Sequence, residues 1–291
     1  MTGETNIWID GVSTDALPLP DRAFAYGDGL FETLLLRGEQ PLLLEYHLQR
    51  LQAGLQRLRF PDCLDSVRDY LAQAAAAPGA TAPGATAPGA TPFRVLRLAV
   101  SRGAGPRGYA PPADCQPRVI ISVSTLLDDP AQLPAPARLG ETAVRWGRQP
   151  LLAGLKHLNR LEQVLAAADC DPRRCDEVLM LDQSGAPLSV SAGNLFLVAG
   201  KRLLTPVLNE AGIAGTRRRL ILERLAAACG LPVTESRLEL SQLLGADELF
   251  YCNTVVGLRP VAAFRDRRWS RHPVTRSLHA AYVEYLQEGA A

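Results

Sequence analysis

Two lysines stand among twenty-nine arginines in this chain of 291 residues. Arginine serves as the surface cation almost throughout, so each lysine needs its own reason. Lysine can shed a proton and attack a carbonyl carbon, whereas a guanidinium stays charged at any ordinary pH. Schiff-base chemistry is therefore open to Lys156 and Lys201 and closed to every arginine. Lys201 lies in Ala199-Gly200-Lys201-Arg202, which parts two apolar runs in the pattern of a hairpin turn, and reads as a solvated turn residue. Lys156 precedes Leu158, Leu161, Leu165 and Ala168, whose 3–4–3 spacing predicts a helix over 156–169 with the lysine at its start. There the helix dipole and partial burial both disfavour a charged ammonium. Lys156 is thus the candidate catalytic residue; the competing reading is a first-turn lysine directed to water.

Three further segments carry chemistry of weaker specificity. Gly103, Gly105 and Gly108 in Ser101–Tyr109 fit G-x-G-x-x-G after a strand, but Ala110-Pro111-Pro112 follows and stops a helix from opening there. The dinucleotide reading fails on that point. The segment reads instead as a glycine-permitted loop presenting Arg107 and Tyr109 into a cleft, or as a plain surface loop. Gly212-Ile213-Ala214-Gly215-Thr216-Arg217-Arg218 runs into a helical stretch. Glycines let the backbone approach a ligand, and the bare N–H groups of a helix start bind anions, so a phosphate fits; so does a ligand-free connection. Asn253-Thr254 closes a strand and offers a hydroxyl. The six cysteines (63, 115, 170, 175, 229 and 252) match no zinc spacing and read as free thiols, and no metal site is expected.

These groups need a scaffold, and the pattern predicts an α+β chain in two domains. The N-terminal domain (1–126) reads strand, turn, strand, helix, helix, strand, strand, its first long helix carrying Leu44, Leu48, Leu51, Leu55 and Leu58. Residues 77–91 interrupt it with Ala-Pro-Gly-Ala-Thr three times over, a stretch that can bury no apolar surface. A proline-rich linker (127–136) leads to a C-terminal domain (137–291) with strands over 177–182, 194–205 and 248–252, a helix over 216–229 and a terminal helix from about 273. A net charge of +1 leaves no footprint for nucleic acid or an anionic membrane. No apolar run is long enough to span a bilayer, and the first residues lack the basic flank and apolar core of a signal peptide, so a cytoplasmic chain is expected.

Taken in order, several segments resemble the fold-type IV pyridoxal-phosphate enzymes: Leu19–Thr33, His47–Leu51, the Arg107–Tyr109 loop, Gly154–Glu162, Gly212–Arg218 and Asn253-Thr254. The residues around Lys156 resemble the lyase branch rather than the aminotransferases. The resemblance implies an N-terminal α/β sandwich with a mostly antiparallel sheet, a barrel-like C-terminal domain, pyridoxal 5'-phosphate between them, and a homodimer. It implies that Lys156 carries the cofactor and moves protons. Arg50, the amides of Thr216 and Arg217, and Thr254 would hold the phosphate, and Arg107, Tyr109 and Asn253 the substrate. The implied reaction converts 4-amino-4-deoxychorismate to 4-aminobenzoate and pyruvate, a step of folate synthesis. One departure stands out: the family places a glutamate at the position of Ser189, where it keeps the pyridine nitrogen protonated. Serine cannot stabilise a pyridinium as a carboxylate does. A branched-chain or D-amino-acid aminotransferase, or a cofactor-binding homologue without turnover, are the alternatives.

Overall fold

The computed structural model describes residues 6–14, 16–77, 93–126 and 128–288, so the Ala-Pro-Gly-Ala-Thr repeats lie, beyond Ala77, outside the described residues. The chain divides into two units, Met1–Asp129 with Leu155–Asn159, and Pro130–Gly154 with Arg160–Ala291.

The first unit is built on a six-stranded sheet in the spatial order Val12–Ser13, Asn6–Ile9, Arg118–Thr125, Phe93–Ser101, Gly29–Arg37, Gln40–Pro41. Every pairing in it is antiparallel, as expected. Side chains alternate across a pleated strand, and register aligns Leu34 with Leu96 and Val123, and Leu30 with Val100 and Val119. This buried row packs with the helices Leu44–Arg57 and Leu64–Ala76, which contribute Leu48, Leu51, Leu55, Val67 and Leu71. One member of the row is not apolar. Glu32 stands opposite Leu98 and is buried with it.

The second unit contains a closed ring of six strands: Ala137–Trp146, Glu177–Asp182, Pro187–Val190, Gly193–Ala199, Glu248–Asn253 and Gly257–Phe264. Pairing of Val190 with Gly193 and of Ser189 with Asn194 closes it. Leu139, Leu179, Val190, Leu195, Leu197, Leu249, Tyr251, Val261 and Phe264, drawn from all six strands, fill the interior. By the same alternation Ser189, Asn194 and Cys252, which follow one another across the register, lie on the outer face. The barrel-like form of this unit is borne out. The helical stretch from Thr216 to Ala228, with one π turn at Ile221–Leu225, and the terminal helix Pro273–Glu288 are where the sequence places them. No helix among the described residues is long and apolar enough to cross a membrane.

Two expectations are corrected. The helix over 156–169 is only Leu161–Ala168, and its buried residues are Gln163 and Ala166. Leu161 is 76% exposed, and Val164 and Leu165 are also exposed, so the leucine spacing does not mark the inward face. Lys156 is therefore not in the first turn, because backbone groups of residues 156–158 are taken by strand pairing instead of a helix. The cysteines are not all free: Cys170 and Cys175 form a disulfide across the turn Asp171–Arg174, with Cα atoms 5.7 Å apart, whereas Cys63, Cys115, Cys229 and Cys252 are free. The reversal of the chain at that turn brings the two together, which a search for zinc spacings does not test.

Candidate cofactor and active site

Lys156 sits on a short strap, Leu155–Asn159, that joins the first unit. The amide of Phe31 donates to the Lys156 carbonyl (2.8 Å) and the amide of Leu158 to the Gly29 carbonyl (3.0 Å), so the strap runs antiparallel to the start of strand Gly29–Arg37. Asn159 anchors its end by donating to the Gly27 carbonyl (2.9 Å). Gly27 has φ +65°, and a Cβ there would lie 2.5 Å from the Asn159 amide oxygen, so this position requires glycine twice over. With its backbone pinned, Lys156 places Nζ 4.1 Å from the centre of the Phe31 ring.

On the buried row of the same strand, Glu32 is met by two residues one turn apart on helix Leu44–Arg57. Arg50 approaches with Nε (2.8 Å) and Nη2 (2.5 Å), and His47 Nδ1 lies 2.6 Å from the carboxylate. Burial alone would raise the Glu32 carboxyl, but the charges and hydrogen bonds of Arg50 and His47 hold it down at about 2. Arg50, expected to hold a phosphate, is thus itself oriented by a buried carboxylate.

The glycine loop is fixed by another arginine. Arg22 is buried and donates to the carbonyls of Gly108 (3.0 Å) and Tyr109 (2.9 Å) and to Asp28 (2.8 Å). Arg102 shares Asp28 at 2.8 Å; burial raises that carboxyl, yet the two guanidinium groups bring it below its ordinary value. No helix opens after the glycines, as Pro111 and Pro112 led one to expect. Arg107 points outward, and Tyr109 is 86% exposed with its ring edge-on to Tyr26.

In the second unit the glycine segment is held by Asn194. Its amide donates to the Ile213 carbonyl (2.8 Å) and accepts from Gly215 N–H (3.1 Å). A Cβ at Gly215 would stand 2.1 Å from that amide oxygen, so only glycine leaves the approach to Thr216 bare. Thr216 and Arg217 then begin the helix, both buried. Ser189, beside Asn194 in the sheet, is 3% exposed and its hydroxyl has no partner. Asn253 spends its side chain on a turn, donating to Ala192 and accepting from Val255 and Val256, which positions Thr254 in that turn.

A family profile described as amino-transferase class IV matches residues 29–264. The chain belongs to that family. Among its relatives, aminodeoxychorismate lyase of Vibrio harveyi is 35% identical over 88% of this chain and 90% of its own. D-alanine aminotransferase of Listeria monocytogenes is 24% identical over 92% and 90%. Among solved structures, 4-amino-4-deoxychorismate lyase from Pseudomonas aeruginosa superposes with a TM-score of 0.84 at 39% identity, covering 96% of this chain and 98% of its own. Branched-chain aminotransferase from Escherichia coli shares the fold, with a TM-score of 0.80 at 22% identity, covering 96% and 93%. Membership bears out the resemblance seen in the sequence and makes the chain a pyridoxal-phosphate enzyme. The residues fit that cofactor: a backbone-pinned lysine, a bare glycine approach to a helix start and an unpartnered buried hydroxyl.

Sequence reasoning passed over Glu32, His47, Asn194 and the pair Arg22–Asp28. The one available signal was Glu32 itself, a carboxylate inside the otherwise apolar strand Gly29–Leu36. Asn194 carried no signal, because its role depends on a loop nineteen to twenty-one residues away.

Proposed function

We propose that this enzyme converts 4-amino-4-deoxychorismate to 4-aminobenzoate and pyruvate. The observation that carries the reading is the likeness to the Pseudomonas aeruginosa lyase, 39% identical over nearly the whole of both chains. Bound pyridoxal phosphate supplies an aldehyde that condenses with amines and a ring that takes up an electron pair. Lys156 is the group to which the cofactor attaches, and in its neutral form it removes the proton at the amine-bearing ring carbon. The bond from the Phe31 amide to its carbonyl, and that from the Leu158 amide to Gly29, hold it for both tasks. Arg50, fixed by Glu32, and the amides of Thr216 and Arg217 bind the phosphate. The substrate then loses the bond to its enolpyruvyl oxygen, and the ring becomes aromatic.

Ser189 favours this reading over amino transfer. Aromatisation drives the elimination, whereas amino transfer depends wholly on the electron sink that a carboxylate at position 189 would strengthen. The reading carries a cytoplasmic homodimer, and the exposed Leu161, Val164 and Leu165 supply an apolar face for one; light scattering on the purified protein tests the dimer. Incubation with 4-amino-4-deoxychorismate should release 4-aminobenzoate and pyruvate in equal amounts. Lys156→Ala should lower that rate by about 100-fold or more. Borohydride should fix the cofactor to Lys156; attachment at Lys201, or amino transfer without pyruvate release, would overturn the reading.

A further inference from the structure

Three arginines follow one another at the start of the helical stretch, and they differ in their partners. Arg218 donates to the Pro206 carbonyl (2.9 Å) and pairs with Glu235 at 2.5 Å. Arg219 pairs with Glu223 at 2.7 Å. Arg217 is the most deeply buried of the three, 1% exposed, and among the described residues it has no carboxylate. Its Nε donates to the Tyr282 hydroxyl at 3.2 Å, while Nη1 and Nη2 are buried without a hydrogen-bond partner. A buried guanidinium that is neither paired nor fully hydrogen-bonded is among the costliest arrangements a fold can hold. Two parallel N–H groups at its end match the two oxygens of a carboxylate or phosphate.

The nearest polar neighbour is a hydroxyl that can donate. Tyr282, fully buried, receives the Arg217 Nε–H and keeps its own O–H to donate. His279 stands beside Tyr282, with ring centres 6.2 Å apart; burial lowers its pKa, so it brings no positive charge, and its ring N–H already donates to the Gln132 carbonyl. Cys252 lies within the electrostatic reach of Arg217; burial holds its thiol proton-bound, so the thiol does not supply a counter-charge. Across the register from Cys252 come Asn194 and then Ser189, whose hydroxyl is also an unpartnered buried donor.

We propose that the guanidinium of Arg217 is the receptor for a compact oxyanion bound end-on by Nη1 and Nη2, with Nε anchored on Tyr282. The anion has two possible sources, the phosphate group of the bound cofactor or a free phosphate or small carboxylate. Because the receptor follows from the unpaired guanidinium alone, it does not depend on the proposed lyase reaction.

Thermal unfolding of the full chain, with and without its cofactor, tests this at constant ionic strength with chloride as the reference salt. Inorganic phosphate, and formate in a parallel series, are the probes. Cofactor-free protein should gain about 2–4 °C for each tenfold rise in phosphate beyond its dissociation constant. Arg217→Met should abolish the gain. A response confined to cofactor-free protein assigns the site to the cofactor's phosphate; a response in both forms assigns it to a free oxyanion. An equal response in wild type and Arg217→Met, or no response in either form, overturns the proposal. Should Arg217→Met fail to fold, side-chain resonances of ¹⁵N-labelled arginine decide: a phosphate-dependent shift of a buried guanidinium supports the receptor, and its absence overturns it. Failure of the lyase assay leaves these outcomes unaffected, so the two readings fail separately.

Discussion

One arginine in each unit, the partly buried Arg50 and the buried Arg217, is treated in the opposite way to the other. In the first, Arg50 spends Nε and Nη2 on Glu32, which His47 also contacts. In the second, Arg217 meets a tyrosine hydroxyl and its other nitrogens have no hydrogen-bond partner among the described residues. Closed networks of the first kind hold a side chain in one place, since removing any member leaves a charge stranded. Open ones of the second kind mark where an external group completes the structure. Orientation in one unit and vacant hydrogen-bonding capacity in the other are complementary ways to bind an anion.

Glu32→Gln attacks the closed network and should have the largest effect. Removing the carboxylate strands Arg50 and His47, at a cost of about 3–5 kcal/mol at neutral pH. The pH dependence gives a separate check. The Glu32 carboxyl is held at about 2 against an ordinary 4.5, so its contribution is present above 4.5 and lost as pH falls toward 2. Wild-type stability, followed by denaturant unfolding, should fall by about 3 kcal/mol across that window. The variant should lack this component. An equal slope in both proteins would show that Glu32 is not the titrating group.

Ser189→Glu brings a carboxylate to the face of the second unit that carries Asn194 and Cys252, importing the arrangement of the first. Amino transfer to a 2-oxo acid should rise by about tenfold relative to 4-aminobenzoate formation, since one pK-sized change in the sink is worth that factor. The cofactor's absorption band should shift with it. If band and activity ratio both stay as in wild type, Ser189 does not face the cofactor ring.

The smallest effect is expected from deleting residues 77–91. The segment has no apolar face to pack, and shortening a loop changes closure entropy only slightly, so the unfolding midpoint should move by about 2 °C or less. A larger shift, or lost activity, would show that the repeats contact the folded units.

Elements whose signals are local were legible from the chain. Alternation and punctuation gave the strands over 177–182 and 248–252, found as Glu177–Asp182 and Glu248–Asn253, and the hairpin at Gly200-Lys201. The 3–4 spacing of Leu48, Leu51 and Leu55 gave a helix whose buried face was right. The same spacing misled at Leu161 and Leu165, where the leucines are exposed. Periodicity reports that an apolar stripe exists, not which surface covers it.

The sequence by itself determined that a lysine was kept where arginine would serve any charge, that glycines precede a helix start, and that the ordered motifs belong to one enzyme family. These follow from residue chemistry and short-range spacing. Only the tertiary structure decided that the strap carrying Lys156 is fixed by strand pairing to Gly29 and Phe31, that Glu32 orients Arg50, and that Arg217 lacks, among the described residues, the carboxylate its two neighbours have. Each is a contact, or a missing contact, between segments far apart in the chain. A charge's partner is set by where the backbone brings it, and one-dimensional spacing does not carry that information.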